Sequence, residues 1–172
     1  MKKYLYHIFV ALFAISSLSL VSCSDDDDES NAMGKTIQIN GKVYEIDPYI
    51  TMEGSWNEDD DNIGTFTVSV LNQVGNAKDC LYYQFSYTDT SHPQVGDEFS
   101  TKSLELTPMD NADHDTFCFM IPLTYNSGTA KVVSINKDKD EMVVKFDNLT
   151  MSGDCCSYTF NGTVAVDFNF YR

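Results

Sequence analysis

Cys80, Cys118, Cys155 and Cys156 are the residues whose chemistry matters first, because four thiols in an oxidising setting can pair in three ways that spacing does not separate. Neighbouring side chains in a strand point to opposite faces. Cys155 and Cys156 therefore share a partner region only if they lie in the turn after Gly153. Zero or one bridge is as well supported as two, and no C-x-x-C or paired Cys/His spacing marks a metal site. Carboxylates cluster twice. Asn136, Asp138 and Asp140 have the alternate spacing of a calcium-binding loop, with Asp147 near its closing position, but Glu141 stands where the sharp turn needs glycine. A hairpin turn explains the same residues. Glu58, Asp59, Asp60 and Asp61, close after Trp56, suit a cation, a polar ligand or a solvated loop. His92 and His114 belong to no Ser/His/Asp or Cys/His signature, and with Met109 they are the one set that could ligate haem. Ordinary loop roles explain them better. No nucleophile elbow, phosphate loop or zinc-protease helix is present. The expectation is a protein that is not an enzyme, with no catalytic residues, no cofactor and no metal.

The elements that position these residues are strands. Ten Tyr and eleven Phe in 172 residues favour sheet over helix, and no long stretch has helical periodicity. Asn40-Gly41 between two short apolar-polar runs suits a two-residue hairpin turn. Strands are expected over Lys35–Ile39, Lys42–Ile46, Tyr49–Trp56, Ile63–Leu71, Leu81–Thr88, Thr101–Leu106, Thr116–Leu123, Thr129–Ile135, Glu141–Phe146 and Tyr158–Phe170. In the last, Tyr158, Phe160, Val164, Val166, Phe168 and Phe170 alternate with polar or small residues, and Gly162 supplies a place to bend. Phe66, Val68 and Val70 alternate with Thr65, Thr67 and Ser69 in the same way, which predicts an inward and an outward face. The fold class expected is all-β, an antiparallel β-sandwich of about ten strands, with a lipocalin-like β-barrel as the alternative.

Residues 1–22 read as an address. Lys2 and Lys3 precede an apolar run from Ile8 to Leu20 that is too short to span a membrane and ends in small residues, as a secretory signal does. Leu20, Val21, Ser22 and Cys23 resemble the bacterial lipobox, and the resemblance implies cleavage before Cys23 and a lipid on its sulfur. Ser24, Asp25, Asp26, Asp27, Asp28 and Glu29 resemble the surface-export signal of Bacteroidetes lipoproteins, which implies display on the outer face of the outer membrane. Residues 23–32 form the acidic tether, and residues 33–172 form one all-β domain. The segments around residues 125–152 and 158–170, "YNSGTAKVVSINKDKDEMVVKFDNLTMS" and "YTFNGTVAVDFNF", resemble small all-β lipoproteins common in Bacteroidetes. Gly54, Ser55 and Trp56 resemble the G-x-W of lipocalins, whose tryptophan closes one end of a ligand-binding barrel; here Trp56 follows two expected strands instead of opening the first.

Charge narrows the partners. Of 11 basic and 26 acidic residues, the leader removes Lys2 and Lys3 and the tether holds five acids, leaving nine against 21 on the domain. Such a field disfavours nucleic acid and anionic membrane surfaces, because phosphate binding depends on Lys and Arg neutralising charge, and no nucleic-acid partner is expected. The functional expectation is a lipid-anchored, non-catalytic binding or accessory module for glycan, protein or small ligand, with a lipocalin-like carrier of a small apolar molecule as the alternative. Trp56, Tyr82 and Tyr125 are the aromatic side chains expected to offer exposed contacts.

Overall fold

Asn40 and Gly41 take φ values of 51° and 78°, the pair of positive angles that a two-residue turn requires, and they join β1 (Thr36–Ile39) to β2 (Lys42–Ile46) as the sequence predicts. A computed structural model describes residues 34–47, 54–57, 62–74, 77–109, 120–154 and 156–170, with side chains outside 72–79. The remaining strands are β3 (Gly54–Asn57), β4 (Ile63–Val74), β5 (Ala77–Thr88), β6 (Glu105–Pro108), β7 (Leu123–Asn136), β8 (Glu141–Ser152) and β9 (Ser157–Asn169). The protein is all-β, with sandwich-like packing. Among the described residues no helix is long and apolar enough to cross a membrane.

Two layers face each other across the core. β4 and β5 pair along twelve residues with Phe66 opposite Phe85, Val68 opposite Tyr83 and Val70 opposite Leu81, all buried. From the other layer β7, β8 and β9 contribute Ala130, Val132, Met142, Val144, Phe146, Phe160, Val164 and Phe168. Rings meet between the layers: Phe85 lies 5.3 Å from both Phe146 and Phe160, and Tyr83 lies 5.3 Å from Phe160 and Tyr158. Each such buried ring contributes about 1.5–3 kcal/mol by leaving water, and contacts between rings add about 0.5–1.5 kcal/mol per pair.

The layers are joined along both edges. β6 pairs with β5 and β7 on one side. On the other, the gap between β4 and β9 is filled at one end by the β1–β2 hairpin and at the other by β3. β4 and β9 run in opposite directions, so a two-strand hairpin can be antiparallel to both, whereas a single inserted strand cannot. β3 is accordingly antiparallel to β4 and parallel to β9, an exception to the all-antiparallel expectation. The hydrogen-bonded path thus returns from β4 through β5, β6, β7, β8, β9 and β3 to β4.

Several strands differ from expectation for local reasons. Nine strands are described instead of about ten. Thr101 closes a 3-10 turn over Phe99–Thr101 and Ser103 has φ of 51°, which turns both Phe99 and Leu104 inward, so β6 starts only at Glu105. Residues 49–53 and 116–119 lie outside the described residues. Thr67 and Ser69, expected to face solvent, are buried at 8% and 5% exposure because β4 is flanked on both sides and Gln84 and Tyr82 stand opposite them. β8 continues past Phe146 to Ser152 through a bulge at Asn148, whose φ is 48°. Gly128 of β7 faces that bulge with φ of +82°; a Cβ there would stand 2.0 Å from the Asn148 carbonyl oxygen. Gly162 of β9, φ +129°, adjoins the same irregularity, so the three strands bend along one line.

Candidate functional site

The three aromatic residues singled out from sequence are not brought together. Trp56 was expected at the surface, but β3 presents it to the core and it is only 7% exposed. Tyr82 is half-buried on β5, five residues from Tyr87 and so about 17 Å along the strand from the Trp56 end. Tyr125, 40% exposed, sits opposite Met151 in the other layer, and its hydroxyl donates to the Gly128 carbonyl at 3.0 Å. It braces the bend from outside.

The cysteines separate into two kinds. Cys156 is disulfide-bonded, to a partner outside the described residues, where Cys118 and Cys155 also lie. Cys80 retains a thiol, which donates to Asp47 Oδ2 at 3.3 Å, and this excludes the pairing of all four cysteines while leaving the single-bridge reading. At the calcium-like spacing, Asn136 Oδ1 accepts from the Asp138 amide at 3.2 Å and Asp140 takes a left-handed conformation, forming the turn between β7 and β8. Asp147 stands seven residues beyond Asp140 along extended β8, opposite Thr129, and cannot close a loop around the same point. No metal-holding group is found among the described residues. Cys23, Ser24 to Glu29, Glu58 to Asp61 and His114 lie outside them.

A different constellation is assembled at the Trp56 end. β5 ends at Thr88, and the next nine residues, Asp89 to Asp97, form a strap before the chain reaches Phe99 in the core. The Asp89 amide donates to Asn62 O at 2.9 Å, and Asp89 Oδ1 accepts from the Thr90 amide at 2.7 Å. At the far end Asp97 Oδ2 accepts from the Gln94 amide at 3.0 Å, while the Gly96 amide donates to Val132 O at 2.8 Å. Lys102 ties the ends together. Its ammonium donates to Asp89 Oδ2 and, at 3.0 Å, to Asp97 Oδ2. Burial acts to lower the Lys102 pKa, but the two carboxylates more than offset it and the net shift is upward.

From the strap itself, His92 tilts over Trp56 with ring centroids 4.7 Å apart, and Trp56 Nε1 donates to Asp89 O at 3.4 Å. Trp56 and Tyr87 are the register partners of Gly64 on either side. Gly64 has to be glycine: the Tyr87 ring crosses it so closely that a Cβ would stand 2.1 Å from Tyr87 Cζ. Tyr87 is 1% exposed, and burial, then the charges of Asp89 and Asp97, push its phenol well above the ordinary range. Among the described residues neither Tyr87 Oη nor the buried His92 Nδ1 has a hydrogen-bond partner.

Lys102 is held by two carboxylates, both oxygens of Asp89 are engaged, and burial together with the two acids holds the Tyr87 phenol above its ordinary range. The sequence points to Trp56 and His92 but not to Lys102, Asp89 or Asp97, because two acids eight residues apart and a lysine in an irregular segment carry no periodic signal. No family model, curated protein or solved structure matches the chain.

Proposed function

We propose that this protein is a non-catalytic lipoprotein, anchored through Cys23, carried by its acidic tether to the outer face of the outer membrane, and serving there as a binding or accessory module. The observation that carries the binding part is the packing of the interior. Phe66, Phe85, Phe146 and Phe160 meet ring to ring between the layers, so a partner is met at the outside or the ends of the domain. A carrier of an apolar molecule needs an internal space that these rings take up, which argues against that alternative. The leader, the four lipobox positions and the acid block support the location.

Lipidation is tested by growing cells with an alkyne-labelled fatty acid. The wild-type chain is expected to take the label, and Cys23→Ala is expected to lose it. A Cys23→Ala protein that stays labelled would place the lipid elsewhere and remove the anchor from this account.

A further inference from the structure

We infer that the strap Asp89 to Asp97 closes over a small binding site at Trp56 for a neutral, hydroxyl-bearing ligand, a single sugar ring being the type example. The inference rests on the binding-module reading above and names the ligand class for its strapped end. Three buried polar atoms, Ser69 Oγ, Tyr87 Oη and His92 Nδ1, lack partners among the described residues, although buried polar groups nearly always have one, and the last two belong to the strapped end. His92 lies in ring contact with the Trp56 indole, and the Tyr87 hydroxyl lies over Gly64, the residue paired with Trp56 on the neighbouring strand. A ligand hydroxyl would satisfy them.

Charge selects among ligands. Two carboxylates, Asp89 and Asp97, stand at the strap against the one Lys102 ammonium, and their charges add to burial in raising the Tyr87 pKa, so an anion is repelled. A cation finds both oxygens of Asp89 and Oδ2 of Asp97 already engaged by Lys102 and backbone amides. A neutral polyol suits what is left: hydroxyls for a phenol and an imidazole nitrogen, and a C–H face for the indole. Trp56 lies under the strap, so entry requires the strap to lift, and one ammonium fastens both its ends.

Trp56 is the only tryptophan of the chain, so its emission reports on this site alone. The full-length protein in detergent is titrated with methyl glycosides of glucose, galactose and N-acetylglucosamine, and with sodium sulfate as an anionic control. The expected result is a saturable change with at least one glycoside and none with sulfate, weakened about tenfold or more by Tyr87→Phe and by His92→Phe, which keep the rings. Should a variant fold poorly, perturbation of the wild-type Trp56 indole N–H resonance by the same glycosides decides the matter without it. No saturable change with any glycoside, a response that both substitutions leave intact, or a crystal soaked in glycoside that shows only ordered water at Tyr87 Oη and His92 Nδ1 would overturn the inference. Protease treatment of intact cells tests location separately, so loss of this site and loss of the surface reading give different results.

Discussion

Gly64 and Tyr87 show how two residues can be read only as a pair. A Cβ on Gly64 would enter the Tyr87 ring, so Gly64→Ala is expected to cost about 3 kcal/mol in urea unfolding, near the upper end for overpacking. Tyr87→Phe keeps the ring and removes a buried hydroxyl without a partner among the described residues. Its stability without ligand should equal the wild type or exceed it by about 1 kcal/mol. Alkaline pH tests the same site. Tyr87 and Lys102 both have folded pKa values raised above their ordinary 10.0 and 10.5, Tyr87 first by burial of its phenol and Lys102 by its two carboxylates, so the folded chain holds these protons more tightly and stability falls as pH rises from those values towards the folded ones. Stability should therefore fall above about pH 10, and Tyr87→Phe should lessen the fall. Sequence marks Trp56 by type, but neither its burial nor its closeness to His92 follows from spacing, since 36 residues and two strands separate them.

At the scale of elements, alternation was legible until a bulge shifted its phase. In β8, Met142, Val144 and Phe146 face the core, and the inward set then resumes at Leu149 and Met151, displaced by one residue. A period of two breaks there, so the sequence reading ends the strand early although the strand continues. The bend depends on Gly128. Its φ of +82° and the approach of the Asn148 carbonyl make Gly128→Ala strained twice over, and the substitution should cost about 3 kcal/mol or more, measured by thermal unfolding. The strap was hidden for a different reason. It has no apolar period, and its ends are held by Lys102, whose loss in Lys102→Met should lower stability by about 1–2 kcal/mol and speed hydrogen exchange of the Gly96 and Asp97 amides.

For the whole molecule, the all-β class follows from residue types and alternation, whereas closure of the path around β4 does not. It depends on which strands fill the gap between β4 and β9, and pairing across more than a hundred residues leaves no local trace: Gln38 with Asn161, Gly54 with Phe168. Charge operates at this scale too. With nine basic against 21 acidic residues the domain repels anionic surfaces, so in the proposed reading attachment falls to the lipid rather than to the fold. The most direct test of surface display is protease added to intact cells, followed by detection of the domain in cells and medium. Cleavage in the tether that releases the domain into the medium is the expected result; a chain that stays whole on intact cells yet is cut after lysis would contradict the account.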